Sequence, residues 1–245
     1  MDRDKFAGRR AFMDQALRSG AWTLAAASGL LTPLMAAAKK ARVLPPGRSI
    51  YDMRGEVLVD GEPATMETLI TATSVIVTGS DSFIEFKVGK DAHHVRENSR
   101  LELSGSGMVE DAMRVVAGKV LAVFGRRKRK ESYTIQTTTA VIGIRGTGIY
   151  IEADPDVSYI CTCYGTVDLV ARADENVKER LKTKHHDAPK YVYSDTYGGK
   201  LIEPAPFKDH TDQELMLLEE IVGRTPPFSS LLDPYSTPRR DGYRM

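Results

Sequence analysis

Runs of alternating apolar and polar residues fill most of the chain between Arg48 and Ala171. In the run at residues 83–88, every second side chain is apolar from position 84 on, with charged residues between, the period of a half-buried β-strand. Similar runs recur at 57–59, 75–77, 101–103, 119–124, 133–135, 141–144, 149–151 and 159–169. Turn-forming Gly, Asn, Asp and Ser residues separate them, so the pattern predicts many short strands.

This spacing defines the expected fold class. Strands repeating about every 10 residues are typical of sandwiches, barrels and β-solenoids. The connections are too short for βαβ units, which argues against Rossmann and TIM-barrel enzymes. We therefore expect a mainly β protein with a single β domain over residues 48–171, built solenoid- or sandwich-like from short antiparallel strands.

The pattern changes after this domain, in a C-terminal extension at residues 172–222. Its first part, through Lys184, is charged and is read as a short helix or a loop. Thr211 followed by Glu214 predicts a capping box that opens a helix over 212–222. The apolar stripe of this helix should dock on the β domain as a cap. The Pro-rich tail, 223–245, is expected to be extended or disordered.

The first 38 residues have the layout of a signal peptide: a basic start followed by an uncharged, Ala-rich stretch. Arg9, Arg10 and Phe12 resemble the twin-arginine export signal. The stretch is only moderately apolar, which favours a cleaved signal over a retained membrane anchor. We expect a periplasmic protein that contacts the membrane only through this segment, if it is uncleaved.

The overall charge of the chain gives little information about its binding partners. Lys and Arg (34) nearly balance Asp and Glu (33), so no overall field attracts nucleic acid, and no nucleic-acid partner is expected. The basic run at 126–130 is expected to be an exposed hairpin tip, the alternative being attraction to anionic lipid, glycan or nucleic acid. Known nucleotide-binding and hydrolase motifs are absent, so nothing in the sequence points to an enzyme.

One block of sequence carries a family resemblance. The run AVIGIRGTGIY at residues 140–150 resembles the signature of the FecR domain family, periplasmic β domains named for a regulator of iron-citrate uptake. Three further stretches agree with the family pattern, at 55–64, 77–83 and 97–101. The resemblance covers about residues 48–171.

The residues of that block suggest an architectural role. Gly143, Gly146 and Gly148 permit sharp turns or close backbone approach. Arg145, which stands before Gly146 and Thr147, offers planar donors for neighbouring carbonyl groups. The functional alternative is that Arg145 faces a ligand or partner.

The resemblance implies a function of the regulatory kind. In its best-known setting the family acts as an anti-sigma regulator, with a helical cytoplasmic domain, one membrane span and a β domain that relays the state of an outer-membrane transporter. Here only residues 1–20 precede the apolar stretch, so we expect a stand-alone, exported member. The implied function is a non-enzymatic sensing, signalling or scaffold module that binds another envelope protein or envelope component, with a link to iron or envelope regulation.

Two cysteines offer candidate chemistry. Cys161 and Cys163 are two apart in a predicted strand, so their thiols share a face and can chelate a soft metal. The same spacing suits a disulfide poorly. The flanking residues of the same parity, from Val157 to Leu169, are apolar, so packing of the cysteines in the core is an alternative, and redox pairing is another.

Histidines can complete such a site. His185, His186 and His210 reach the cysteines if the segment after Arg172 folds back over the strand. The twin-arginine route carries folded proteins, which favours a cofactor acquired before export. The sequence thus gives an alternative function, a periplasmic protein that binds a transition metal such as zinc, copper or iron through these residues.

Overall fold

The computed structural model describes residues 43–127 and 133–228, and the predicted signal segment with Arg9, Arg10 and Phe12 lies outside these ranges. No helix in the described part is long and apolar enough to cross a membrane. The strands are β1 (Ile50–Arg54), β2 (Val57–Val59), β3 (Glu62–Pro63), β4 (Val75–Thr78), β5 (Phe83–Val88), β6 (Asp91–Val95), β7 (Arg100–Ser106), β8 (Val109–Val123), β9 (Tyr133–Gln136), β10 (Ala140–Ile144), β11 (Gly148–Ala153), β12 (Val157–Ala171), β13 (Asp174–Thr183), β14 (Lys190–Tyr197) and β15 (Lys200–Pro204). One helix, α1 (Asp212–Ile221), follows them.

These strands form two hydrogen-bonded layers, here named the front and back sheets. The front sheet has the order β1-β5-β6-β8-β11-β12-β14-β15. The back sheet has the order β13-β12-β10-β9-β8-β7-β4-β2-β3. Among the described strands, β8 and β9 pair in parallel and all other pairs are antiparallel. The mainly β prediction is confirmed.

Two long strands, β8 and β12, belong to both sheets, and each changes sheet at a glycine. Gly118 of β8 has a φ of +85° and Gly165 of β12 a φ of +101°, a backbone region that side chains disfavour. A Cβ on Gly118 would also lie 2.2 Å from Ser99 Oγ. Glycine at these bends therefore lets one strand serve both layers.

The main core lies between the sheets, which matches the sandwich alternative of the prediction. Every second residue of the strands points into it. Its fully buried members come from both layers and include Ile84, Phe86 and Val120 of the front sheet and Ile76, Leu101, Ile135, Ile142 and Leu169 of the back sheet.

A second core covers the outer face of the front sheet, where α1 docks. Leu215, Leu218 and Ile221 of the helix are fully buried there, against Tyr150 and Tyr159 of the sheet. The helix begins as predicted, with Thr211 and Glu214 forming both hydrogen bonds of the capping box. The C-terminal cap helix is thus present, and it creates a buried space on one side of β12.

Two expectations, for the charged segment after Arg172 and for the basic run at 126–130, are wrong in part. The charged segment read as a short helix or loop is β13, which pairs with β12, and two more strands follow before α1. Of the predicted tail, residues 223–228 are described, and Phe228 is buried against Tyr164; the rest lies outside the described residues. In the basic run, Arg127 is a buried partner of Asp91, with N–O contacts of 2.6 and 3.0 Å, instead of an exposed tip.

Candidate metal centre

The two cysteines lie on β12 just before its bend at Gly165. Cys161 and Cys163 face α1 in the second core, and both side chains are fully buried. Residues after the bend, such as Val167 and Leu169, face the main core instead. The cysteines share a face as the sequence predicted, but that face is the one covered by the helix.

Two histidines meet the cysteines from different segments. The hairpin of β12 and β13 folds back, and the loop after β13 places His186 against the strand, where its backbone N–H donates to Cys163 O at 2.9 Å. His186 has a φ of +50°, a strained conformation for this residue type that tertiary contacts must hold. His210 directly precedes Thr211, the N-cap of α1. Both imidazoles are buried.

The donor atoms of these four residues converge on one point. All four lie within 4.8 Å of one another. Cys161 Sγ is 3.5 Å from His186 Nδ1, Cys163 Sγ is 3.4 Å from His210 Nε2, and the two nitrogens are 3.0 Å apart. A tetrahedral zinc ion separates sulfur from nitrogen by about 3.5 Å and nitrogen from nitrogen by about 3.3 Å, as follows from its usual bond lengths. The cluster therefore has the dimensions of a single four-coordinate ion.

Hydrogen bonds on the far side of each ring fix which nitrogen faces the cluster. His186 Nε2 lies 3.1 Å from Asp212 Oδ1, and His210 Nδ1 lies 2.8 Å from the Lys208 carbonyl oxygen. Both partners accept, so these nitrogens carry the protons and donate. The opposite nitrogens then present lone pairs to each other, an arrangement that needs a proton or a cation between them. A carboxylate or carbonyl behind each imidazole is typical of metal-ligating histidines.

The electrostatics of the cluster favour a thiolate. Hydrogen bonds from Cys163 and from the histidines hold the pKa of Cys161 well below its usual value, despite burial. Burial raises the pKa of Cys163. Burial alone would lower the pKa of His186, but its hydrogen bonds with Asp212 and Cys161 raise it to about 9. The cluster is thus prepared to hold a thiolate beside positive charge, and a metal ion supplies that charge by replacing protons.

His185, predicted as a ligand, takes a different place. Its Nε2 lies 2.8 and 3.0 Å from the two carboxylate oxygens of Asp212 and outside the group of four donors. Asp212 is a candidate functional residue that was not among those predicted from the sequence. Its position two residues after His210, at the start of α1, was the available signal. Through Asp212, both neighbouring histidines are tied to the helix.

Of the glycines of the signature block, Gly143 lies in β10, Gly146 in the turn that follows and Gly148 at the start of β11. Gly146 has a φ of +79°, and a Cβ on Gly148 would lie 2.4 Å from the ring of Tyr164. Gly143 has room for a side chain, since its Cβ would meet only Asp168 at 3.8 Å. Arg145 is exposed, and its charge helps to lower the pKa of Asp168 after the larger effects of Arg180. No carbonyl accepts from Arg145 within residues 43–127 and 133–228, so its predicted pinning role is absent there.

The two-sheet β domain and its docked helix enclose the buried donor cluster. Residues 74–168 match the model of the family described as FecR protein, the same family that the block at residues 140–150 resembles. The matched range includes Cys161 and Cys163, whereas His186 and His210 lie beyond it.

Solved structures show a more distant likeness. Two crystal structures, each described as a "putative anti-sigma factor" from Parabacteroides distasonis, share 12% identity with the chain at a TM-score of 0.43. Each alignment covers 54% of this chain and 58% of the solved one, so the chain spans less than two thirds of those proteins. No curated protein matches the chain.

Proposed function

We propose that this protein is an exported FecR-type sensing or scaffold module, without enzymatic activity, that holds one transition-metal ion. The ligands are Cys161, Cys163, His186 and His210. The observation that carries the proposal is the convergence of two thiols and two imidazole nitrogens at the spacing of one tetrahedral ion. Each imidazole is held from behind by an acceptor, which supports the same conclusion.

The closed donor set supports a non-catalytic role. Catalytic zinc sites keep one coordination position for water or substrate, whereas structural sites use four protein ligands. All four donors here come from the protein, and all four residues are buried. An ion bound in this way has no position left for a substrate.

Zinc is the first expectation for the ion. Paired thiolates and imidazoles suit zinc best, but they also bind copper and iron. The donor set therefore ranks the three metals without selecting one of them. The family's association with iron regulation would correspond to ferrous iron in this site. Elemental analysis separates the three.

The ion would join three segments of the chain. β12 supplies the cysteines, the loop after β13 supplies His186, and the residue before the N-cap of α1 supplies His210. Metal occupancy then determines how firmly the helix is held on the front sheet. A module of this kind can report metal status to another protein of the envelope, which is the partner class we propose.

The direct test is elemental analysis of the full chain purified after native export. We expect about one zinc per chain in the wild type, and none in a Cys161→Ser/Cys163→Ser variant. Circular dichroism of the variant checks that the β fold persists. Wild-type protein that is stably folded and metal-free after growth in zinc-, copper- and iron-replete medium would contradict the proposal.

Export is tested separately. An Arg9→Lys/Arg10→Lys variant should accumulate in the cytoplasm, whereas the control Arg18→Lys should reach the periplasm, because the twin-arginine route requires the paired residues. Cell fractionation measures both. A paired variant that is exported like the wild type would refute this route while leaving the metal site unaffected.

A further inference from the structure

A second candidate site lies beside the metal cluster, between the C-terminal end of α1 and the turn that joins β10 to β11. It is a cleft of about 490 Å³, within the range of small-molecule sites. Arg126, Lys184 and Arg224 line it together with Glu219, and Gly146 and Gly165 form part of its wall. Nothing in the proposed metal function uses these side chains.

The charges of the cleft are unequal. The one lining carboxylate, Glu219, has both oxygens occupied: Oε1 accepts from the Tyr164 hydroxyl and Oε2 from Arg224 Nε at 2.6 Å. Arg126 and Lys184 have no carboxylate partner within 43–127 and 133–228. The cleft therefore keeps two uncompensated cations after Glu219 and Arg224 neutralise each other.

Unused hydrogen-bond donors point to the same site. Arg224 donates from Nη1 to the Lys90 carbonyl oxygen at 2.5 Å, but its buried Nη2 has no partner among the described residues. The buried hydroxyl of Thr147 also has none, but Thr147 packs behind Gly165 and does not itself line the cleft. Buried polar groups in folded proteins nearly always have a partner, often a water or an ion. The unpaired donor of Arg224, a lining residue, therefore favours a polar ligand in the cleft.

The two wall glycines bring the backbone close to the cleft. A Cβ on Gly165 would lie 2.5 Å from Thr147 Cγ2 and 2.9 Å from Gly146 O. A Cβ on Gly146 would lie 3.1 Å from Arg126 Cα. Side chains at either position would therefore force the wall apart. Gly146 belongs to the signature block at 140–150, so part of that block lines the cleft.

We propose that this cleft binds a small oxyanion, a phosphate or a dicarboxylate, with Arg126 and Lys184 supplying charge and Arg224 supplying hydrogen bonds. Guanidinium groups match the planar, paired oxygens of such ligands. The ligand would lie next to the loop that carries His186. It would thus reach the metal-bearing part of the molecule without contacting the ion.

The test is titration calorimetry of the metal-loaded full chain at low ionic strength, with inorganic phosphate and succinate as probes and glycerol as a neutral control. At least one of the two anions should bind saturably, and glycerol should not. An Arg126→Gln/Lys184→Gln variant should bind about tenfold more weakly or worse, because both charges that attract the anion are lost. Lys200→Gln, an exposed lysine on β15, is the matched control and should bind like the wild type.

Arg126 and Lys184 are both exposed residues, so the double variant should keep its fold. Circular dichroism checks this. The proposal is overturned if neither anion binds saturably, or if the double variant binds as tightly as the wild type. The metal content of the same samples is measured in parallel. Failure of the anion site is thereby separated from failure of the metal site.

Discussion

In the buried cluster around Glu110, one carboxylate serves two donors: His93 Nε2 lies 3.0 Å from one oxygen, and the Tyr133 hydroxyl donates to the other at 2.7 Å. In the cysteine cluster, His186 Nδ1 and His210 Nε2 lie 3.0 Å apart, and the other nitrogen of each ring is held by Asp212 or by the Lys208 carbonyl oxygen. Both clusters are buried and contain histidine. In the first, both carboxylate oxygens have a donor, whereas in the second the two facing nitrogens need a proton or a cation between them.

The surroundings extend this difference. Next to Glu110, Asp91 takes two hydrogen bonds from Arg127 and one from the backbone N–H of Gly125. In that network, His93 Nδ1 is the one side-chain atom without a partner among the described residues. Matched acids and bases of this kind stabilise a fold, whereas two thiols and two imidazoles that converge form a donor set suited to a soft metal ion.

Removing the metal should give the largest effect and should act on one cluster alone. At a free zinc concentration 1,000-fold above the dissociation constant, the ion contributes about 4 kcal/mol to stability. Excess chelator should therefore lower the urea midpoint of the wild type strongly. The Cys161→Ser/Cys163→Ser variant should show no response to chelator, and an equal response in both proteins would show that the cysteine cluster holds no stabilising ion.

Changing the other cluster should destabilise the protein regardless of metal. Glu110→Gln puts an amide N–H₂ where the carboxylate accepted from His93 or Tyr133, which we expect to cost about 3 kcal/mol. Urea unfolding with and without zinc measures this cost. Glu102→Gln, at a partly exposed ion pair with Arg100 on β7, is the control and should change stability by less than about 0.5 kcal/mol. A cost that vanishes without zinc would show that the two clusters are coupled.

A substitution at Asp212 tests whether the hydrogen-bond acceptors that hold the histidine rings contribute to metal affinity. Asp212→Asn removes the charge that orients His186, and the zinc affinity should fall about 10- to 100-fold. Competition with a coloured zinc chelator measures the affinity, and Asp195→Asn on β14 is the control. Unchanged affinity in Asp212→Asn would mean that His186 does not bind through Nδ1.

The smallest effect is expected at His185. His185→Gln should lower zinc affinity by less than about tenfold, because His185 contacts Asp212 and not the cluster. His186→Gln, one residue along, should abolish tight binding. The same competition assay measures the zinc affinity of both variants. A larger loss of affinity in His185→Gln than in His186→Gln would mean that His185, and not His186, binds the metal.

Local patterns were enough to predict much of this arrangement. Period-two alternation predicted the strands, the i, i+2 spacing placed Cys161 and Cys163 on one face, and the Thr211–Glu214 box predicted the helix start. The return of the chain over β12, on which the histidine hypothesis depended, also occurs. Each of these features depends on residues only a few positions apart.

The remainder depends on tertiary contacts. β13 carries only two apolar residues on its inner side, Val177 and Leu181, because Glu179 lies inward and pairs with Lys190 at 2.7 Å. Because β12 changes sheet at Gly165, its alternate residues before the bend face the second core and those after it face the main core. Local sequence patterns do not predict this change. Which of the adjacent histidines faces the cysteines is decided by the left-handed backbone of His186 and by Asp212 on a distant helix.

X-ray absorption at the zinc edge of the purified, metal-loaded full chain tests the central claim most directly. The four-ligand centre predicts two sulfur atoms at about 2.3 Å and two nitrogen atoms at about 2.0 Å from the metal. Wild-type protein should show this mixed shell, and the Cys161→Ser/Cys163→Ser variant should not. A wild-type shell made only of nitrogen and oxygen, or protein that takes up no metal, would contradict the account.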